Sequence, residues 1–410
     1  REGEVQAFAF IDAGHALAQA RAADMIRREG KGVGSLHGIP IAIKDIIDTA
    51  DMPTENGFPA FTGRRPDKDA FLVAQLRSAG AVIMGKTVTS PLANPGPVKT
   101  RNPHDATRTP GTSSSGSAAA VAAGMVPLAV GSQTAGSVIR PASFCGVYGF
   151  KPTHGLVPRH GILKLSRTLD TVGVFARTLE DVALAAQQII GHDERDLDTR
   201  PRARPPLLRT LAEEPPFPPR LAFIKTPMWS RADASTIDAF AELAETLGAQ
   251  CEARELPESA AGAWDWMRTI QEAEMAANLD LEWQRGRDAL HPALREQLAR
   301  GREIGALAYQ QALAHIPRLI EGFDELFENF DAIVTPSAPG VAPPIESTGD
   351  PVFCSLWSLC GMPALNLPLM TADAGLPLGV QLVGKRDFDA RLLRSARWLV
   401  RRLSPIQAQE

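Results

Sequence analysis

Residues 111–141 limit what this chain can fold into more than any other part of it. Their sequence, GTSSSGSAAAVAAGMVPLAVGSQTAGSVIRP, places two serine-bearing, glycine-flanked turns at either end of a segment of small residues. The small residues 118–123 predict a tightly packed buried helix, and residues 126–130 predict the strand that follows it. A serine is a weak nucleophile at its ordinary pKa, so a hydrolase that uses one must supply a base and donors for the oxyanion. Two serine turns and a base elsewhere in the chain would meet that need.

The composition is that of an ordinary globular protein and excludes several classes. The 410 residues, of which 44% are hydrophobic and 22% charged, suffice for one large α/β unit or for two to three average domains. A net charge of -4 offers no general attraction to a polyanion, so nucleic acid is not an expected partner. The sequence contains no apolar run of about 18 residues, no signal-peptide pattern and no C-x-x-C pair, so we expect a cytoplasmic protein that contacts no membrane.

Alternating helix and strand patterns predict an α/β fold with a largely buried sheet. Helical patterns cover residues 5–28, 70–79, 180–190 and 388–403. Strand patterns cover residues 81–84, 220–224, 331–335 and 378–383. A charged, proline-rich segment at 192–220 is predicted to be a surface crossing. Residues 1–192 and 330–410 are predicted to form the core, and residues 225–330 a mostly helical, cap-like segment.

Residues 80–87, GAVIMGKT, match the phosphate-binding G-x-x-x-x-G-K-[ST] pattern letter for letter. In a true phosphate-binding loop the intervening residues curl around the phosphate after a strand has ended. Here they are Ala, Val, Ile and Met, which predict the strand itself. We therefore expect no nucleotide site. The G-x-S-x-G elbow and the S-x-x-K pattern of other serine hydrolases are absent.

Lys44 stands out because it interrupts an apolar run, LHGIPIAIKDIID, at residues 36–48. One interpretation is a surface lysine paired with Asp45. The isoleucines on both sides favour burial instead, and burial lowers the pKa of a lysine because desolvation disfavours its charged form. A neutral amine is a base.

Several segments in this order resemble the amidase signature family. They are residues 36–48, residues 111–140, GVYGFKPTHG at 146–155, LDTVG at 169–173, FDAIVTP at 330–336 and GMPALNLP at 361–368. The resemblance spans residues 5–400 and implies a single large domain over 1–410, with a central mixed β-sheet covered by helices. The GSVIRP segment and the compact length are most similar to malonamidase-type members.

That resemblance implies a Ser-cisSer-Lys triad and fixes its members by position. The family's T-G-G-S turn corresponds to residues 134–137, which makes Ser137 the nucleophile. The bridging cis-serine is Ser113, 24 residues earlier, and the base is Lys44 in the G-[IV]-P-x-x-x-K-D motif. The backbone N–H groups of Thr134, Ala135 and Gly136 would form the oxyanion hole.

The sequence departs from the usual family pattern at several positions around these turns. Thr112 and Ala135 stand where glycine is common, and Gln133 stands where aspartate is frequent. Arg140 has two candidate roles, as a structural salt-bridge partner or as a binding group for a substrate carboxylate. Asp170 is expected to hold loops rather than to react.

The function implied by the resemblance is hydrolysis of a linear amide to a carboxylate and ammonia or an amine, through an acyl-enzyme and without metal or cofactor. The expected partner is a small amide, with a carboxylate-bearing amide as one candidate. Two alternatives remain open: the glutamine-hydrolysing A subunit of a tRNA-dependent amidotransferase, which works within a multi-subunit complex, and a non-catalytic amidase-like binding protein. A homodimer is also open.

Overall fold

The computed structural model describes residues 1–372 and 375–403, and one mixed sheet forms the centre of the molecule. Its eleven strands are β1 (Phe8–Ile11), β2 (Pro40–Lys44), β3 (Val82–Thr87), β4 (Leu128–Gln133), β5 (Tyr148–Lys151), β6 (Thr171–Ala176), β7 (Leu221–Ile224), β8 (Cys251–Arg254), β9 (Ala332–Pro336), β10 (Ala364–Thr371) and β11 (Pro377–Val383). They lie in the order β1-β3-β2-β4-β6-β5-β10-β11-β9-β7-β8.

The α-helices of the described residues surround this sheet. They are α1 (Glu2–Val5), α2 (Ala13–Arg28), α3 (Phe71–Ser78), α4 (Ser115–Ala122), α5 (Ile139–Phe144), α6 (Leu179–Ile189), α7 (Leu207–Ala212), α8 (Ala234–Leu247), α9 (Ala263–Asn278), α10 (Asp280–Gly286), α11 (Pro292–Glu303), α12 (Ala306–Leu326), α13 (Val352–Leu359) and α14 (Asp389–Leu403). The fold is the single α/β domain with a mixed central sheet that the family resemblance implies. No helix in the described ranges is both long and apolar enough to cross a membrane.

The middle of the sheet is buried on both faces, and this positions Lys44. β2 pairs in parallel with β3 and with β4. Ile41 and Ile43 pack into the largest hydrophobic cluster, while Ala42 packs into a separate cluster with the small residues of α4. Successive side chains of a strand point to opposite faces of the sheet, so Ala42 lies on the face opposite Ile41 and Ile43. The small residues of α4 let that helix approach this face closely. Most of the segment 80–87, which matches the phosphate-loop pattern, is a strand as predicted, because β3 occupies Val82–Thr87.

The prediction of one helix over residues 5–28 is wrong. Gln6 has a φ of 53° just after α1, and β1 then pairs antiparallel with β3 at the edge of the sheet. α2 begins only after Asp12, whose side chain caps it by accepting a hydrogen bond from the His15 N–H at 3.0 Å. The alanine-rich pattern runs through this boundary, whereas the pairing with β3 depends on residues far along the chain.

The segment at 225–330 contains more than a helical layer. α9, α10, α11 and α12 make up most of it, but α8 leads into β8, which pairs in parallel with β7 at the other edge of the sheet. The first part of the segment therefore extends the central sheet. The short helix α7 lies inside the proline-rich crossing, and neither it nor β5, β6 and β10 was predicted.

Candidate active site

Lys44 ends β2, and its side chain is completely buried. Its Nζ donates hydrogen bonds to Ser113 Oγ at 2.5 Å and to Ser132 Oγ at 2.9 Å. Burial lowers the pKa of Lys44 from 10.5 to about 7, and the negative charge of Asp170 opposes part of that change. The amine is therefore substantially unprotonated near neutral pH and can accept a proton.

Ser113 lies in the turn before α4, and the peptide bond between Thr112 and Ser113 is cis, as the family resemblance implies. Arg140 holds this turn in place. Its guanidinium donates to the Thr112 carbonyl oxygen at 2.6 Å and to the Gly349 carbonyl oxygen at 2.9 Å. Arg140 is itself buried and is absent from the walls of the cavities described below. Both contacts join loops of the protein to each other.

Ser137 lies in the turn between β4 and α5 and is partly exposed. Within residues 1–372 and 375–403 its hydroxyl forms no hydrogen bond, so the structure joins Lys44 directly to Ser113 but joins Ser137 to neither. Hydrogen bonds between catalytic groups are often long in the absence of substrate and shorten when the substrate binds.

The backbone of this turn offers unused donors. In the described part of the chain, the N–H groups of Ala135, Gly136 and Ser137 form no hydrogen bond. The next two N–H groups, those of Val138 and Ile139, both donate to Gln133 Oε1, at 2.9 and 3.0 Å. Gln133 thus accepts the hydrogen bonds of the N–H groups at the start of α5, and the preceding N–H groups stay available to an oxyanion.

A second set of contacts fixes the shape of the same turn. Gln133 Nε2 donates to Ser358 Oγ at 3.0 Å, and Ser358 Oγ donates to the Ala135 carbonyl oxygen at 2.8 Å. Gly136 packs closely on the start of α13, because a Cβ added there would lie 2.8 Å from Pro351 Cβ. A glycine is therefore required at this close approach.

Asp170 connects the oxyanion turn to a neighbouring loop. Its Oδ1 accepts a hydrogen bond from Thr134 Oγ1 at 2.7 Å, and its Oδ2 accepts from the N–H groups of Leu165 and Ser166 at 2.8 and 2.9 Å. Burial raises the pKa of Asp170, while these hydrogen bonds act in the opposite direction. Asp170 holds loops together, which is the role expected for it.

A cavity of about 340 Å³, here called the active-site cavity, opens beside these groups. Ser132, Thr134 and Asp170 line one part of it, and it extends along apolar side chains such as Leu163 and Leu197. Ser113 and Ser137 do not line it, and Ser132 and Thr134 are its links to Lys44 and to the oxyanion turn. Among the described residues, no group of three or more His, Cys, Asp or Glu side chains is placed to hold a metal ion.

Sequence reasoning found neither the hydrogen bond between Lys44 and Ser132 nor the one between Gln133 and Ser358. Ser132 carries no motif of its own, but it lies near the carboxyl end of β4, the strand beside β2, and that position is the only signal available for it. Ser358 is 225 residues from Gln133 in the chain, and no local pattern connects the two.

The family model described as Amidase matches residues 2–393, and the chain belongs to this family. The A subunit of the glutamyl-tRNA(Gln) amidotransferase of Anaeromyxobacter sp. (strain K) is 36% identical over 450 aligned residues, covering 99% of this chain and 91% of that protein. The X-ray structure of the peptide amidase from Stenotrophomonas maltophilia superposes with a TM-score of 0.84 at 33% identity, over 97% of this chain and 89% of that one.

An inhibitor-bound complex, described as revealing the evolutionary origins of an s-triazine catabolic enzyme, superposes with a TM-score of 0.90 at 28% identity, over 98% of this chain and 93% of that one. With the family model, these similarities make the chain an amidase, an enzyme of the class that cleaves carbon–nitrogen bonds. The similarity to malonamidase-type members stays a prediction.

Proposed function

We propose that the chain hydrolyses a linear amide to a carboxylate and ammonia or an amine, with Lys44, Ser113 and Ser137 as a proton relay and nucleophile. The observation that carries this proposal is the 2.5 Å hydrogen bond between the completely buried Lys44 and Ser113. A buried amine whose pKa lies near 7 is a base of suitable strength for proton transfer at neutral pH.

In the acylation step, Ser137 Oγ attacks the amide carbon while its proton passes to Ser113 Oγ, and the proton of Ser113 passes to Lys44 Nζ. The oxyanion accepts hydrogen bonds from the turn that includes Thr134, Ala135 and Gly136, each donor being worth roughly 3 to 4 kcal/mol in the transition state. The C–N bond breaks as a proton returns along the relay to the leaving nitrogen.

In the deacylation step, water attacks the ester carbon and gives its proton to the same relay. The bond between the acyl carbon and Ser137 Oγ breaks, and Ser137 recovers a proton from Ser113. Both steps use only protons and water, so the proposal includes no cofactor.

A panel of small primary and secondary amides tests this proposal. We expect Ser137→Ala to lower kcat/KM by roughly a thousandfold or more, because the nucleophile and the relay act as a unit. Ser115→Ala is the matched control, since Ser115 lies on α4 and its hydroxyl donates to the Val88 carbonyl oxygen. Turnover retained by Ser137→Ala, with the control also active, would contradict the assignment of the nucleophile.

A second function, that of a glutamine-hydrolysing A subunit of a tRNA-dependent amidotransferase, is favoured by the curated relatives. The 36% identity extends over 99% of this chain, which supports this function more strongly than the sequence analysis did. The similarity to the peptide amidase structure, at 33% identity, supports the other candidate, an amidase that hydrolyses its substrate without partner subunits. The purified chain, assayed alone, separates the two: turnover of small amides supports the independent enzyme, whereas inactivity alone and glutamine hydrolysis only with partner subunits support the A subunit.

The mass of the same purified sample in solution tests the homodimer left open above.

A further inference from the structure

The loop 165–170, just before β6, carries Asp170 and is bound to the rest of the protein from two sides. On one side, Arg159 Nη1 donates hydrogen bonds to the carbonyl oxygens of Arg167 and Asp170, at 2.7 and 3.1 Å. On the other side lies the helix α9. Through Asp170 the loop reaches both the oxyanion turn and Lys44. Whatever fixes this loop therefore also fixes two parts of the active site.

Glu274 of α9 is the centre of the second attachment. Its Oε2 accepts hydrogen bonds from Ser166 Oγ and from the Thr168 N–H, the latter at 3.0 Å, and its Oε1 accepts from Thr168 Oγ1 at 2.6 Å. Asn278, four residues later and so on the same face of α9, donates through Nδ2 to the Leu165 carbonyl oxygen at 2.9 Å. Three residues of the loop thus bind one face of this helix.

Tyr309 of α12 completes the attachment, because its hydroxyl donates to Glu274 Oε1 at 2.7 Å. Burial and the hydrogen bond to Glu274 raise the pKa of Tyr309 to about 12, so this hydroxyl keeps its proton and remains a donor. A second cavity, of about 350 Å³, is lined by Thr168 on the loop and by Leu313 and Ile316 on α12. Since this cavity separates the loop from that part of α12, hydrogen bonds through Glu274, and not apolar packing, connect the two there.

Two glutamates of α9 are buried, and they differ in their partners. Glu272 is 6% exposed and pairs with Arg300 of α11, whose Nε lies 3.1 Å from both carboxylate oxygens. Glu274 is 8% exposed, and within residues 1–372 and 375–403 it forms no ion pair and accepts hydrogen bonds only from hydroxyls and one N–H. A buried carboxylate without a cation is unfavourable unless hydrogen bonds replace its hydration. Glu272 therefore joins two helices, whereas Glu274 joins two helices to the loop that carries Asp170.

We propose that Glu274 is a positioning residue of the active site: by holding the loop 165–170 against α9 and α12, it keeps Asp170 in place beside Thr134 and Lys44. The helices that follow β8 thereby influence the reaction through this loop. The inference rests on the proposed amide hydrolysis and adds a residue on which its rate depends.

Displacement of the loop would change two properties of the site. Asp170 Oδ1 accepts a hydrogen bond from Thr134 Oγ1 at 2.7 Å, so a displaced Asp170 releases the turn whose N–H groups face the oxyanion. A misplacement of about 1 Å can lower a rate about a hundredfold. The charge of Asp170 also raises the pKa of Lys44, so a displaced Asp170 lets that pKa fall. Arg159 is the other charged group that acts on Asp170, and the variants below leave it unchanged.

Glu274→Met tests the proposal, because it nearly keeps the size of the side chain and removes both acceptor oxygens. We expect kcat at pH 8 to fall about tenfold and KM to change less than about threefold, while the rate at pH 6 relative to that at pH 8 rises about twofold. Glu272→Met is the matched control, since it removes a carboxylate of similar burial from the same helix. It should leave the ratio of the two rates unchanged and kcat within about twofold, with circular dichroism to establish folding.

A double variant tests whether Glu274 acts through Asp170. Asp170→Asn/Glu274→Met should have the same ratio of the rates at pH 6 and pH 8 as Asp170→Asn alone, because two changes that act through one group do not add. Thr168→Val is a milder variant that removes one hydrogen bond to Glu274 from the side of the loop. It should lower kcat about threefold and raise the ratio, and it tests the proposal even where Glu274→Met does not fold.

Labelling of Ser137 by a fluorophosphonate gives the same ratio of rates without amide turnover. A folded Glu274→Met with the wild-type ratio, an equal change of the ratio in Glu272→Met, or a Thr168→Val that matches the wild type would each overturn the proposal. A wild-type chain that hydrolyses no amide would refute the proposed function, and the labelling rates would still decide the role of Glu274. Absence of both hydrolysis and labelling would overturn both.

Discussion

Lys44 and Lys86 are buried lysines on neighbouring strands, and they differ in what their ammonium groups contact. Both side chains are fully buried, and burial lowers the pKa of Lys44 to about 7 and that of Lys86 to about 8. Lys44 contacts two serine hydroxyls. Lys86 donates to the Ile47 carbonyl oxygen at 2.7 Å and to Thr54 Oγ1 at 2.5 Å, and Asp45 lies 3.6 Å away.

Under the proposed mechanism, burial alone does not make a lysine a catalytic base. A hydroxyl can both give and accept a proton, so Lys44 can exchange protons with Ser113. Lys86 also contacts one hydroxyl, that of Thr54, but its other partner is a backbone carbonyl oxygen, which only accepts hydrogen bonds, and the nearby Asp45 carboxylate favours its charged form. Lys86 is therefore a structural group whose loss should be felt in stability, whereas the loss of Lys44 should be felt in the reaction.

The largest expected effect is on kcat, which should fall when Lys44 is replaced but not when Lys86 is replaced. We expect Lys44→Met to lower kcat by roughly a thousandfold, since it removes the base of the relay. Lys86→Met, the matched control, should retain kcat within about threefold wherever it is folded. The measurement is kcat on any accepted amide, with circular dichroism to establish folding. Comparable losses from the two substitutions would break the comparison.

The next largest effect is on the free energy of unfolding, which Lys44→Met and Lys86→Met should change in opposite directions. Between pH 7 and 10.5 the unfolded chain protonates Lys44 while the folded chain does not, so Lys44 makes stability rise with pH in this window and lowers it at pH 7. Lys44→Met should therefore stabilise the fold at pH 7 by about 1 kcal/mol.

The lowered pKa of Lys86 also costs stability at pH 7, but Lys86→Met should still destabilise the fold by about 2 to 3 kcal/mol, because it leaves the buried Asp45 without its cation and the Ile47 carbonyl oxygen without its donor. Urea unfolding at pH 7 measures both variants. A destabilised Lys44→Met together with a neutral Lys86→Met would reverse the roles assigned here.

The smallest effect concerns Asp170, whose negative charge raises the pKa of Lys44. Asp170→Asn removes that charge, so the pKa of Lys44 should fall and more of the amine should be neutral at pH 6. The rate at pH 6 relative to that at pH 8 should therefore rise about twofold to threefold. Asp48→Asn is a control, since Asp48 pairs with Arg64 and faces Lys86 rather than Lys44. An unchanged ratio of the two rates in Asp170→Asn would show that the charge of Asp170 does not change the pKa of Lys44.

The parts of the site that follow from local sequence could be predicted. The isoleucines around Lys44 indicated its burial, because alternate residues of a buried strand pack on both faces of a sheet. The small residues of 118–123 likewise indicated the close packing of α4. Ser113 and Ser137 came from the family resemblance, and the structure places Ser113 directly on Lys44.

The parts that depend on distant residues could not be predicted. Arg140 contacts the Gly349 carbonyl oxygen 209 residues away, and Gln133 contacts Ser358. β1 was hidden because its partner strand, and not its own alanine-rich surroundings, decides its conformation. Long-range pairing of this kind overrides local propensity.

The rate at which a fluorophosphonate labels Ser137, measured against pH, tests most directly the claim that neutral Lys44 activates this serine. The account predicts that the label is found on Ser137, and that its rate rises about tenfold per pH unit below pH 7 and levels off above about pH 8. It also predicts that Lys44→Met abolishes the labelling while folded Lys86→Met keeps the same pH profile. Labelling that is independent of pH from 6 to 9, or that persists at the wild-type rate in Lys44→Met, would contradict the account.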